Sequence, residues 1–592
     1  MKRYPLMLGL TAAVGATLAL VACVNLGATA PAPALPQSCA SAAAAVAAGS
    51  AVPGAKIRIT QAAEQPATPA LRAHCLIEGA LNERVSAVDG TPYAIKFRMR
   101  LPQAADWNGK FFQESVGGSV GSLTQTVGLT SGMTTSAFSR GYTVIMGDSG
   151  HDTLVNTDPN AGGASAFARD PQARVDFGHA SYDLVARVGK ALSMAYYAKA
   201  STRAYFSACS DGGRQAVGIA QRHSQHFDGI LAAAPAVDIP HMTAYVPLIL
   251  QTLGPLAKAG GHIDANGRPL INKVYTDADL QLVSTAVLQA CDALDGLKDG
   301  IVNHIDACTD ALVHPQLDAL ACSGEKTAAC LSRPQIAAMK TLMAGPKDSK
   351  GRQVYPGHAW DPGIGGIDSD KSGGAGTFNN GFRAYWFGAF DANTNTATKV
   401  TLSAPQAAML WKTPPLALPA AQYIDHFMAY DIDDTEASIT RTTAVYPQSV
   451  VDWGLMNSPD LRAFKQRGGK MIAWIGNADP AVSPKDTIRW FKSVDANERA
   501  RDGSTAANFL RLFVVPGMNH CAGGVATDRF DMLTPLEDWV ERGIAPASVP
   551  AEASNPGYFG VASRSRPLCP YPQYAHYNGS GDINVASSFS CR

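Results

Sequence analysis

Three short stretches carry residue types that can do acyl-transfer chemistry. The first is Tyr205-Phe206-Ser207-Ala208-Cys209-Ser210-Asp211-Gly212-Gly213-Arg214. An apolar run enters it and a helix-like segment, Gln215 to Gln221, leaves it. A serine between a strand and a helix, with glycine two residues on, is the nucleophile-elbow pattern. So sharp a turn needs small neighbours, and Ala208, Gly212 and Gly213 supply them. The pentapeptide alone fits an ordinary serine in a glycine-rich turn equally well. The other two stretches are Gly476-Asn477-Ala478-Asp479-Pro480 and Pro516-Gly517-Met518-Asn519-His520-Cys521, each just after an apolar run. A serine nucleophile needs a base, and the base needs a carboxylate that holds its tautomer and stabilises its charged form. Ser210, Asp479 and His520 are predicted to fill those roles.

The elements around them must bring all three to one rim. Tyr93 to Leu101 alternates apolar and polar as a half-buried strand does. Lys110–Glu114, Tyr142–Met146, the run into Ser210, Gly229–Pro235, Lys470–Ile475 and Phe509–Val515 read as further strands. Tyr182 to Ala198 and Met532 to Arg542 have helical spacing. Strands alternating with helices imply a mainly parallel sheet. In such sheets sites lie at the carboxyl ends of strands, where all three candidates fall. The order Ser, Asp, His is that of the α/β-hydrolase fold. His151 also follows a strand but precedes Ser210, the wrong order; His223 and His226 are expected at the surface or a helix end. The predicted fold is an α/β-hydrolase with a large inserted lid: core 39–236, lid 237–455 of loops and short helices, core 456–592. The tail from Pro556 is expected to be loop-like and to clasp the core through Cys569 and Cys591.

Lys and Arg number 49, as do Asp and Glu, so zero net charge gives no support for a nucleic-acid surface. At the N-terminus, Met1-Lys2-Arg3 precedes an apolar run from Leu6 to Ala22. With Leu20-Val21-Ala22-Cys23 this reads as a lipoprotein-type signal, 1–22, with a lipid anchor at Cys23 and an Ala/Pro tether over 23–38. The rival is a plain secretory signal cut near Ala28 or Ala30. Either way the protein is expected to be exported, as a bacterial outer-membrane lipoprotein facing the periplasm or the exterior. No protein partner is inferred. Of 11 cysteines, all but Cys23 make an even set, which suits disulfides in an exported chain. Cys291 and Cys308, Cys322 and Cys330, and Cys569 and Cys591 are near in sequence, but connectivity stays open. Cys209 precedes the serine and Cys521 follows the histidine. If Ser210 and His520 meet, their neighbours meet too, and a Cys209–Cys521 disulfide would tie the two loops.

Asp292-Ala293-Leu294-Asp295-Gly296-Leu297-Lys298-Asp299-Gly300-Ile301 places three carboxylates in one short loop. Anions so close repel unless a cation neutralises them, and hard oxygens suit Ca²⁺. The spacing is not that of an EF-hand, and a solvated acidic turn is the alternative.

The elbow together with Pro516-Gly517-Met518-Asn519-His520-Cys521 resembles the tannase/feruloyl esterase family. Ala290-Cys291-Asp292-Ala293-Leu294-Asp295-Gly296-Leu297, Asp528 to Pro535 and Arg566-Pro567-Leu568-Cys569-Pro570-Tyr571-Pro572 extend the resemblance over most of the chain. It implies Ser210 as nucleophile, His520 as base and Asp479 as its acid. It implies disulfides Cys39–Cys75, Cys209–Cys521, Cys291–Cys308, Cys322–Cys330 and Cys569–Cys591. It implies a structural Ca²⁺ held in the lid by Asp292, Asp295 and Asp299 with the carbonyls of Leu297 and Ile301. Oxyanion donors are expected from the amides of Asp211 and of Val116 in Glu114-Ser115-Val116-Gly117-Gly118, with Gly117 as the alternative. The aromatic stretch Phe382 to Phe387 is expected to hold an aromatic acyl group, or else to be lid core.

Matched to the family's aromatic-ester hydrolases, Tyr385 falls at a pocket Trp, Lys399 at an Arg that grips a free carboxylate, and Ser403 at a pocket Phe. Lys399 keeps the charge but loses the fork. The expected substrates are small aromatic esters, with mono(2-hydroxyethyl) terephthalate among them as a slow one. Gallate- or ferulate-type phenolic esters are the nearest alternative. A different class is a lipid-anchored binding protein without turnover.

Overall fold

A computed structural model describes residues 38–48, 51–129, 132–365 and 381–592. The expected leader, the tether up to 37, Cys23 and most of the Gly363–Gly376 run lie outside them. Nine strands form one sheet: β1 (Ile57–Gln65), β2 (His74–Val85), β3 (Pro92–Pro102), β4 (Lys110–Glu114), β5 (Thr143–Gly147), β6 (Arg203–Cys209), β7 (Gly229–Ala233), β8 (Lys470–Gly476) and β9 (Leu510–Val515). Their spatial order is β1-β2-β3-β5-β4-β6-β7-β8-β9. From β5 across to β9 every neighbour is parallel. The first three strands add an antiparallel flank through β3 and β5. This is the α/β-hydrolase sheet, and it bears out the predicted class. The sequence reading did not pick out β1 and β2.

Burial explains the two kinds of strand. In β3, Tyr93, Ile95, Phe97, Met99 and Leu101 are buried and their neighbours half-buried, the alternation seen in the sequence. The parallel strands are covered by helices on both faces, so β5 and β7 are buried throughout. Helix Ser181–Tyr197 connects β5 to β6, helix Asp211–Arg222 connects β6 to β7, and helix Pro484–Asp502 connects β8 to β9.

Between β7 and β8 the chain is helical and irregular. It has a hydrophobic cluster of its own, running from Tyr245 to Phe427. Most of its helices are short, as expected, but two, Tyr245–Ala259 and Asp277–Cys291, are 15 residues each. Trp411, Val450 and Trp453 pack instead with the sheet's core.

The tail is also more ordered than expected. β10 (Arg529–Phe530), β11 (Val549–Glu552) and β12 (Ser565–Leu568) form a second sheet, and β13 (Ala575–Tyr577) pairs with β14 (Phe589–Cys591). The Cys569–Cys591 bond lies within this tail and does not bond it to the core. All five implied disulfides are formed: Cys39–Cys75, Cys209–Cys521, Cys291–Cys308, Cys322–Cys330 and Cys569–Cys591. No helix among the described residues is long and apolar enough to cross a membrane.

Candidate active site

Ser210 stands between β6 and the helix Asp211–Arg222, with φ 67° and ψ −124°. Positive φ in a non-glycine residue is costly and needs surrounding structure to hold it. Here the Ser210 amide donates to the Ala233 carbonyl at 3.0 Å, fixing the turn to β7. The two glycines are needed for space rather than for their own dihedrals. A Cβ on Gly212 would lie 2.6 Å from Ala208 Cβ and 2.8 Å from the Val116 carbonyl oxygen, and one on Gly213 would strike the Ala233 carbonyl.

Asp479 and His520 lie in the loops after β8 and β9, neighbouring strands whose ends pair at Gly476 and Val515. His520 Nε2 is 2.7 Å from Ser210 Oγ, and His520 Nδ1 is 2.8 Å from Asp479 Oδ2. With Nδ1–H donating to the carboxylate, Nε2 keeps its lone pair toward the serine hydroxyl. Asp479 is fully buried, and its Oδ1 accepts the amides of Ala481 (2.8 Å) and Val482 (2.9 Å). The Cys209–Cys521 disulfide, Cα–Cα 6.2 Å, joins the serine and histidine loops.

The loop after β4 packs against the elbow. A Cβ on Gly117 would lie 2.6 Å from Ser210 Cβ and 3.1 Å from its Oγ. Asp211 turns its buried carboxylate away from the serine, to Arg214 Nε (2.6 Å) and Gln215 Nε2 (3.0 Å). Burial pushes that carboxyl up, and the Arg214 guanidinium pulls it back. Glu114, which sequence reasoning gave no role, is pushed up to about 7 by burial and accepts the Gly128 amide at 2.7 Å.

The predicted substrate residues share one cleft with the triad. Ser210, His520, Tyr385, Lys399, Ser403 and Trp411 are among its lining. The Tyr385 ring meets the His520 ring edge-on at 5.5 Å. Of the aromatic stretch only Tyr385 lines the cleft; Phe382, Trp386 and Phe387 are lid core. Lys399 is 2% exposed, and its ammonium donates to the Ala481 carbonyl at 3.0 Å. Burial pushes it down to about 8, against the pull of Asp479. His151 is buried, stacked on Phe167 and apart from the triad. His223 caps the elbow helix and His226 ends the short helix Ser224–His226, both helix-end positions as expected, with His226 buried against Asp183.

The acidic loop is compact. Asp292 Oδ1 accepts the amides of Asp299 (3.2 Å) and Gly300 (3.0 Å), and Asp295 accepts Asn303 N and Nδ2 at 2.9 and 2.8 Å. The Asp299 carboxylate pairs with Arg566 of the tail, and Arg564 donates to the Asp299 carbonyl at 2.8 Å. Burial pushes Asp295 up to about 6, and the Asp299 charge adds to the rise. The donors fit a hard cation by type and by charge. In this arrangement the carboxylates are turned to N–H groups and to Arg566, and no set of three or more His, Cys, Asp or Glu among the described residues is poised to hold a metal.

Sheet, elbow and strand-end loops define an α/β-hydrolase. Residues 79–592 match the family model for tannase and feruloyl esterase, and the chain belongs to that family of carboxylic ester hydrolases. It is 45% identical over 553 residues to the mono(2-hydroxyethyl) terephthalate hydrolase of Piscinibacter sakaiensis, covering 91% of this chain and 89% of that one. A probable feruloyl esterase of Arthroderma benhamiae is 29% identical over 511 residues, covering 83% of this chain and 81% of that one. The crystal structure of feruloyl esterase B from Aspergillus oryzae superposes with a TM-score of 0.66 at 20% identity, covering 90% of this chain and 97% of that one, which shows the shared fold.

Proposed function

We propose that this ester hydrolase cleaves small aromatic esters by two-step acyl transfer, with Ser210 as nucleophile, His520 as base and Asp479 as the acid that orients it. The hydrogen-bonded chain Ser210–His520–Asp479 carries the proposal. His520 Nε2 takes the Ser210 proton as Oγ attacks the ester carbonyl. The oxyanion rests on the amides of Val116 and Asp211, each such donor contributing a factor of about 100 to 1,000. His520 then protonates the leaving alkoxide. Water, deprotonated by His520, attacks the acyl-enzyme, the acid departs and Ser210 recovers its proton.

Tyr385 supplies an aromatic wall, and Lys399 a cation for an acid-bearing acyl group such as the terephthalate half-ester named for the Piscinibacter relative. The nearest rival is a gallate- or ferulate-type ester. It is favoured by the Lys399 ammonium, which donates to Ala481, and by the small Ser403 on the cleft wall. Comparing kcat/KM for mono(2-hydroxyethyl) terephthalate, gallate, ferulate and benzoate esters separates the two. A preference of about tenfold or more for the half-ester supports carboxylate recognition; a preference for phenolic esters replaces it. A binding protein without turnover would hydrolyse none.

Ca²⁺ is proposed as a structural ion of the acidic loop, held by Asp292, Asp295 and Asp299 with the carbonyls of Leu297 and Ile301. It would neutralise the loop's charge and take no part in the ester chemistry. If EDTA leaves Tm unchanged and Ca²⁺ does not bind, the proposal fails. Export as a lipoprotein anchored at Cys23 is likewise proposed, supported by the leader pattern and by five disulfides, which persist in oxidising compartments. Mass spectrometry of the mature N-terminus tests it.

A further inference from the structure

The loop that carries Asp479 is held from outside the sheet. Three consecutive carbonyls accept donors from the insertion: Asp479 from His358 Nδ1 (2.8 Å), Pro480 from Trp386 Nε1 (2.8 Å) and Ala481 from Lys399 Nζ (3.0 Å). Ser483 Oγ in turn donates to the Gly357 carbonyl at 2.6 Å. One insertion residue goes further. Asp361 Oδ2 accepts Asn477 Nδ2 at 2.8 Å and the Gly517 amide at 3.0 Å, while its Oδ1 accepts the Gly363 amide at 2.8 Å. Asn477 is two residues before Asp479, and Gly517 is three before His520. A single lid carboxylate therefore joins the loop of the acid to the loop of the base.

Asp361 is fully buried, so water cannot take over its three donors. A buried donor left without an acceptor costs about 1–3 kcal/mol, so loss of Asp361 would press both loops to rearrange. The packing beside it is close: a Cβ on Gly363 would strike Ala478 Cβ and lie 3.1 Å from Asp361 Oδ1. Beyond the strand ends the two loops also meet directly, the Ala478 amide donating to the Met518 carbonyl at 3.1 Å, and Asp361 adds a second tie on either side of that contact. Gly517 sits at φ 72°, where the chain leaves strand geometry.

We propose that Asp361 is a positioning residue for catalysis, holding the acid and base loops at their working separation, so that the lid helps to assemble the triad and does more than cover it. This rests on the assignment of Ser210, Asp479 and His520 as the catalytic set. A shift of about 1 Å in a catalytic group can cost about 100-fold in rate.

The test is the time course of Ser210 labelling by a fluorophosphonate, with p-nitrophenyl acetate kinetics beside it, on the full chain. Asp361→Asn keeps the shape but no longer offers two acceptor oxygens. It is expected to label to the same final extent as the wild type, about 10–100-fold more slowly. Its kcat should fall by the same factor with KM unchanged. Asn477→Ala, which leaves Asp361 in place and removes only its side-chain tie to the acid loop, should also label slowly, and the double variant no more slowly than D361N alone. A merely structural role would lower the final extent and leave the rate constant at the wild-type value; that result, or wild-type labelling by N477A should D361N not fold, overturns the proposal. A wild-type protein that does not label at Ser210 would instead overturn the catalytic assignment beneath it.

Discussion

Cys209 and Cys521, 312 residues apart, are bonded to each other directly beside the hydrogen bond between Ser210 and His520. The covalent link and the catalytic contact thus tie together the same two loops. A disulfide typically contributes about 2–4 kcal/mol to stability. The double variant C209A/C521A should therefore lose Tm and, because the loops carry nucleophile and base, about 10–100-fold in kcat at temperatures where it is still folded. Thermal melts with kcat at 15 °C check this; unchanged kcat would confine the bond to stability.

Gly117, in the loop after β4, packs against the nucleophile with no room for a side chain. Gly117→Ala would place a methyl 2.6 Å from Ser210 Cβ, so either the serine or the loop must move. The expected loss in kcat is about 100- to 1,000-fold, the size of a lost oxyanion donor, with little change in Tm. Activity within threefold of wild type would remove this loop from the site.

The triad was legible because each member lies in the turn or short loop after an apolar run, a signal local to the chain. The elbow glycines were legible as a need for small residues, but their reason lies across the fold, in the Val116 and Ala233 carbonyls. Asp361 was not legible. Its partners lie 116 and 156 residues away, and no period or motif marks a lone carboxylate that bridges them. The aromatic stretch Phe382–Phe387 carries both of its expected readings, since one short helical turn brings Tyr385 to the cleft and leaves Phe382, Trp386 and Phe387 in the core of the insertion. The tail strands escaped because β12 spans four residues and includes Pro567, too short a run for alternation to register.

Lys399 titrates where ester assays can follow it. Burial pushes its ammonium down to about 8, with Asp479 opposing. KM for a carboxylate-bearing ester should rise above about pH 8 as the charge is lost, while KM for a neutral ester stays flat. Stability changes with the opposite sign. An unfolded lysine holds its proton to about 10.4, so between about pH 8 and 10.4 the unfolded state binds more protons, and this group's contribution to stability rises with pH. Lys399→Met should abolish both trends. A flat KM for the anionic ester in the wild type would remove Lys399 from carboxylate recognition.

The hydrogen bonds from His520 to Ser210 and Asp479 are the centre of the functional proposal. Hydrolysis of p-nitrophenyl acetate by Ser210→Ala, with circular dichroism to establish the fold, tests it most directly. The expected result is a loss of at least about 10⁴-fold in kcat. Activity within about tenfold of wild type would contradict the assignment of Ser210 as the nucleophile.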